Sequence, residues 1–215
     1  MEFVVENLDV FLEGFLRTVN LTLLAAAGAL VLGTLVAAMR VSPLPPLRWA
    51  AVGYVETVRN TPLTVVFALS VFGLPKAGVG FSFFEFALLA LSLYTGTFVA
   101  EAVRSGINSV ATGQAEAARS LGMTFGQTLR LVVLPQAFRS IVPPLASVFI
   151  ALLKNSSIAS AFGVAEATST MGTLIERNAS EVLWALTATA VGYVVLALTA
   201  SLAFSRLERA LAVAR

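Results

Sequence analysis

TGQAEAARSLGMTFGQTLRLVVLPQAFR, residues 112–139, is the one long polar stretch in a chain that is otherwise apolar enough to live in a bilayer. Ala115 to Leu121 is rich in strong helix formers, and Gly122 ends the run as a helix C-cap. Thr124 and Gln127 have the spacing of a capping box, which starts a second short helix through QTLRLVVL with a stop at Pro135. The reading is helix, tight turn, helix, with Leu121, Phe125 and Leu129 as an apolar edge. Helices this short are marginal alone in water. They therefore pack either on the protein's own bundle or into a groove of a soluble partner.

The flanks set the fold class. The 215 residues have a mean hydropathy of +0.88 and only 12% are charged, about half the share of a soluble domain. Five apolar segments approach or exceed the roughly 20 residues needed to cross the hydrocarbon core. They run over about 15–39, 49–72, 81–103, 141–162 and 182–204, joined by SPLPP at 42–46, GLPKAGVG at 73–80, the polar loop at about 104–139, and a break at Gly163. The expectation is an all-α polytopic membrane protein with five transmembrane helices, one domain over residues 1–215, and the lipid bilayer as its surroundings. Without cysteine there is no disulfide or thiolate metal site, and without histidine the commonest metal ligand and general base are missing. No metal site and no nucleic-acid partner is expected. The opening MEFVVENLDVFLEG carries four acids and no base, unlike a cleavable signal peptide, and is expected to be retained.

Charge placement orients the spans. Arg40, Arg48, Arg104, Arg119, Arg130, Arg139, Arg206, Arg209 and Arg215 share one side with only Glu116 and Glu208. The other side holds Arg17, Lys76 and Arg177 against Glu2, Glu6, Asp9, Glu13, Glu85, Glu166, Glu176 and Glu181. The N-terminus is therefore expected outside, and the C-terminus and the polar loop in the cytoplasm.

Four charges fall within or near the spans: Glu56, Arg59, Lys154 and Glu101. Glu56 and Arg59 are three apart on one helix face and read as a structural ion pair, with substrate contact as the alternative. Lys154 lies halfway along the fourth span and is followed by Asn155, Ser156 and Ser157. Either it snorkels to an interface or this cluster lines a polar cavity. Breakers and small polar residues recur at similar depth: Asn60-Thr61-Pro62 in the second span, Tyr94-Thr95-Gly96-Thr97 in the third, and Pro143-Pro144 opening the fourth. Close packing is one account of the small residues. A shared water-filled site between helices is the other. The candidate pathway residues are Lys154, Asn155, Ser156, Tyr94, Thr95, Thr97 and Thr61.

The polar loop also carries a resemblance. Glu116-Ala117-Ala118, then three residues, Gly122, nine more, Val132, one more, and Leu134-Pro135 resemble the EAA loop of ABC importer permeases, with Val132 where isoleucine is usual. RNTPL at 59–63, FVAEAVRSGINSV at 98–110, GQAEAARSLGMT at 113–124, LPQAFR and LKNSSIASAFGVAE extend it over nearly the whole chain. They resemble the polar amino acid subfamily of type I permeases, and YTGTFVAEAVRSGIN with KNSSIAS looks closest to glutamate-uptake permeases.

That resemblance implies half of a channel that opens alternately to either side. A second permease subunit, different from this one rather than a second copy, would complete the channel. An extracytoplasmic amino acid binding protein would deliver the substrate, and a cytoplasmic ATPase subunit dimer would drive the switch. ATP and Mg would sit on that partner, since the chain lacks G-x-x-x-x-G-K-[ST]; no cofactor is expected on the chain itself, and it is not expected to be an enzyme. Glu116, Ala117, Ala118, Leu121, Gly122 and Pro135 would then couple the spans to the ATPase. Two rivals are an ion-gradient-driven transporter or channel using Glu56, Glu101 and Lys154 as a charge relay, and an assembly protein whose loop is only a platform. The lack of a detectable internal repeat fits the first rival poorly.

Overall fold

The computed structural model describes residues 2–211, and all the regular structure among them is helical. A short α1 (Glu2–Glu6) precedes α2 (Leu8–Arg40), whose 33 residues extend for about 50 Å. Next come α3 (Pro45–Arg59) and α4 (Leu63–Ala68), then α5 (Phe83–Asn108). The polar loop forms α6 (Thr112–Ser120) and α7 (Phe125–Thr128), followed by α8 (Leu134–Asn155), α9 (Ala167–Arg177) and α10 (Val182–Leu211). Four stretches are long and apolar enough to cross a membrane, and the bent pair formed by α3 with Leu63–Ala77 would make a fifth.

The core is the α2–α5 seam, which small residues allow to close. Leu21, Ala25, Ala29, Gly33 and Ala37 form one buried stripe of α2 and face Ala87, Ala90, Leu91, Gly96, Val99 and Ala100 of α5. At Gly33 a Cβ would come within 2.5 Å of the Val99 side chain and 2.7 Å of the Gly96 carbonyl, so only glycine permits this approach. Phe67 of α4, stacked on Phe162 at 5.1 Å, seals one end of the same core. By contrast α10 buries few residues and presents Leu183, Val191, Val194, Val195, Leu198 and Leu202 outward. An apolar outer face of this kind suits the hydrocarbon of a bilayer.

One sequence-based expectation is sharpened and two change. The second span is interrupted at Asn60-Thr61-Pro62 as expected, and there α3 and the α4 stretch meet at 105°. Pro62 lacks an N–H and biases Thr61 away from the helical region, so the helix stops and restarts in a new direction. The loop's second helix does not stop at Pro135. Phe125–Phe162 is continuous, because a wide π turn at Leu129–Val133 widens the helix just before Leu134-Pro135. The same device recurs at Leu69–Gly73 before Leu74-Pro75, and in both places a missing amide donor is absorbed rather than ending the run. Pro143 and Pro144 likewise lie inside α8 instead of opening it, both on its exposed side. The fourth span is thus an extension of the loop's second helix.

Candidate functional site: a polar cleft and an exposed loop

The cleft lies between α5 and α8. Tyr94, Thr95 and Phe98 form one wall, and Ser147, Val148, Ala151, Leu152 and Asn155 form the other, around a volume of about 360 Å³. Its α8 wall is small and polar because Ser147, Ala151 and Asn155 recur every fourth residue and so share a face. Tyr94 and Phe98 pack with their rings tilted and centroids 5.2 Å apart, giving the α5 wall an aromatic lining. At Asn155 the α-helix tightens into a 3-10 segment, Ser156–Phe162, which Gly163 ends at φ +81.

The structure divides the seven expected pathway residues. Tyr94, Thr95 and Asn155 meet at the cleft. Lys154 is exposed on the adjoining face of α8 and forms no ion pair among the described residues. Thr97 and Ser156 are fully buried, and their hydroxyls donate to the carbonyls of Tyr94 and Leu153, each at 2.7 Å. Those two finish helical turns in the core and are not brought to the cleft. Thr61 sits in the α3–α4 break and donates to the Thr57 carbonyl at 2.8 Å.

The expected ion pair between Glu56 and Arg59 is not made. Asn60 Nδ2 donates to Glu56 Oε2 at 3.4 Å, while the Arg59 guanidinium lies 5.3 Å above the Phe98 ring. The helix ends at Arg59, and the nearby aromatic face of α5 draws the cation across. Glu101 is instead the paired carboxylate. It accepts from both Arg40 and Arg104, tying the end of α2 to the end of α5. A carboxylate gripped by two guanidiniums is a poor member of a charge relay.

The loop presents a surface. Leu121 and Phe125 are 85% and 79% exposed, with Glu116, Ala117 and Gly122 also exposed between and beside them. Ala118 is buried against the rest of the loop, and Leu129 turns into an apolar groove with Leu134 and Pro135 instead of joining the exposed edge. Gly122 has φ +83; its N–H bonds the Arg119 carbonyl at 3.0 Å and the Met123 N–H bonds Ala118 at 3.2 Å. This pair of bonds at a left-handed residue is a Schellman cap, the form taken by the C-cap expected at Gly122. The capping box at Thr124 also forms, with Gln127 N–H on Thr124 Oγ1 at 3.3 Å and Thr124 N–H on Gln127 Oε1 at 2.9 Å.

Sequence reasoning missed α9 and its cap. Glu166 is fully buried; Oε1 accepts from the Ser169 N–H at 2.9 Å, and Oε2 accepts from Tyr193 Oη at 2.7 Å and Thr18 Oγ1 at 3.2 Å. One carboxylate therefore joins α2, α9 and α10. Glutamate is an uncommon N-cap, so no local signal pointed to it.

Residues 29–213 match the family described as the inner membrane component of binding-protein-dependent transport systems. The chain is 44% identical, over 94% of each chain, to the glutamate transport system permease protein GluC of Corynebacterium glutamicum. It is also 44% identical, over 71% of each chain, to a probable glutamine ABC transporter permease protein, GlnM, of Bacillus subtilis. Among solved structures, an amino acid ABC transporter crystallised with histidines superposes with a TM-score of 0.90 at 35% identity, covering 96% of each chain.

Proposed function

This chain belongs to the family of inner membrane components of binding-protein-dependent transport systems, the permeases of ABC importers, and from that membership we propose that it carries an acidic amino acid, glutamate first. It forms half of the translocation pathway. The cleft between α5 and α8 is the part of that pathway this subunit contributes, with Asn155 in the cleft and Lys154 on the adjoining face of α8 receiving the substrate carboxylate and Tyr94 and Thr95 lining its course.

The observation that carries the coupling role is the exposed loop. Leu121 and Phe125 stand almost free on a capped helix-turn-helix whose second helix runs without a break into the cleft-lining α8. A push on α7 is thereby transmitted along one rigid helix to Ser147, Ala151 and Asn155. The loop faces the cytoplasm, as the arginine excess on its side supports, and docks on an ATPase dimer that hydrolyses ATP. A different second permease and an extracytoplasmic binding protein complete the importer. The carboxylate site and the coupling loop lie on the same chain, joined by α8.

Two measurements test this. The assembled transporter in proteoliposomes should show ATP hydrolysis stimulated most by the binding protein loaded with an acidic amino acid, across a panel of amino acids. Gly122→Val, which forces a β-branched residue to positive φ, should cut uptake at least about twentyfold while substrate delivery by the binding protein persists. Normal uptake by that variant would remove the loop from the coupling role.

A further inference from the structure

On the far side of α5 from the cleft lies an open apolar groove of about 810 Å³. Ala38 and Val41 of α2, Val103 and Ile107 of α5, and Phe138 and Ile141 of α8 line it. Val103 and Ile107 follow Tyr94 and Phe98 by about two and a half helical turns, so they face away from the cleft. At the groove α5 and α8 touch, and a Cβ on Gly106 would collide with the Ile141 side chain. Ala38, Val103 and Ile141 stand at the loop-side ends of the first, third and fourth apolar segments, 15–39, 81–103 and 141–162. The groove therefore opens where hydrocarbon gives way to headgroups. Among the described residues, Arg139 is the only charged residue that lines it. Arg139 is exposed and forms no ion pair among those residues. Arg40 and Arg104, next to the lining residues Val41 and Val103, are both engaged by Glu101.

We propose that this groove binds an anionic phospholipid, with an acyl chain along its apolar walls and the phosphate received by the Arg139 guanidinium. Charge complementarity selects that occupant: an apolar trough with one free cation at the bilayer boundary fits a hydrocarbon tail under an anionic head. A guanidinium meets a phosphate through two parallel bonds. A zwitterionic lipid offers the same phosphate but brings its own ammonium, which the arginine repels, so the site prefers the anionic class. An arginine that only snorkels to the interface would show no such preference. A second permease seated against the cleft leaves the groove uncovered, because the two lie on opposite faces of α5. Leu129, which starts the π turn, and Leu134, which follows it, both border the groove, so the lipid joins that turn to α2 and α5. The site is independent of which substrate the cleft passes.

The test is lipid retention by the complex of both permeases and the ATPase, titrated in detergent with phosphatidylglycerol or phosphatidylcholine and read by native mass spectrometry. Amide hydrogen exchange on the same samples locates the lipid. Wild type should hold phosphatidylglycerol about tenfold more tightly than phosphatidylcholine, and exchange over residues 125–139 should slow when it binds. Arg139→Gln, a change at an exposed side chain, should cut the preference to less than about threefold, and Arg139→Lys should keep part of it. Ala38→Phe, which fills the trough and leaves Arg139 in place, should lose both the tightly held lipid and the slowed exchange. An unchanged preference in Arg139→Gln, or protection confined to other segments, overturns the proposal. So does a wild type that holds the two lipids equally. If Ala38→Phe instead separates the two permeases or releases the ATPase, the groove is a protein interface and the lipid site is refuted.

Discussion

Two guanidinium sites flank α5 within one turn of each other, and they are built in opposite ways. At Glu101, Arg40 and Arg104 surround a carboxylate, and the result ties the end of α2 to α5. Three residues earlier, Phe98 carries Arg59, which forms no ion pair among the described residues. The first arrangement is complete and asks nothing of a ligand. The second leaves a charge unpaired over a ring of the cleft wall, and Lys154, the neighbour in sequence of the cleft residue Asn155, forms no ion pair among the described residues either. Charges paired in this way hold the fold together, while the unpaired ones are where the proposed pathway can be tested.

Three substitutions can break that contrast. The largest effect should come from Lys154→Met: uptake and substrate-stimulated ATP hydrolysis fall by about thirtyfold or more, and glutamate and glutamine binding suffer alike, since both carry the α-carboxylate. Its melting temperature should stay close to wild type, because Lys154 is exposed and unpaired. Uptake at wild-type level would take Lys154 out of the pathway. Glu101→Ala should do the reverse. It strands two part-buried arginines opposite each other, costing on the order of 2 kcal/mol and lowering the melting temperature by about 5 °C. Transport per assembled complex should survive, and a large loss of turnover in well-folded protein would make Glu101 part of the machinery after all. The smallest effect is expected from Glu56→Gln. With no Arg59 pair to lose, its melting temperature should move by less than about 1 °C, as read by size-exclusion thermal denaturation. A drop comparable to that of Glu101→Ala would mean the two acids are equivalent.

The same helix explains why some expectations survive and others do not. Local chemistry was legible: Gly122 as a helix C-cap and Thr124 with Gln127 as a capping box depend only on neighbours in the chain, and both form. The prolines were misread because their consequence depends on what precedes them. A π turn ahead of Leu134-Pro135 lets one helix run from the loop into the fourth span, and no sequence rule of thumb reports a π turn. Thr97 and Ser156 carried the right chemistry for a pathway but sit on faces turned to the core. Glu56 and Arg59 were assigned to each other by spacing alone, and the aromatic face that separates them lies 39 residues downstream of Arg59, as 98 − 59 gives.

Composition and periodicity by themselves determined that this is a helical membrane protein, which ends carry basic charge, and that residues 112–139 form two capped helices. Those properties are sums over residues or bonds between near neighbours, so the linear order suffices. Tertiary structure alone decided that the second span bends through 105°, that Glu166 knots three helices, and that Arg59 turns from Glu56 to the cleft wall. Each of these is set by groups far apart in the chain, which compete for the same side chain only once the helices have packed.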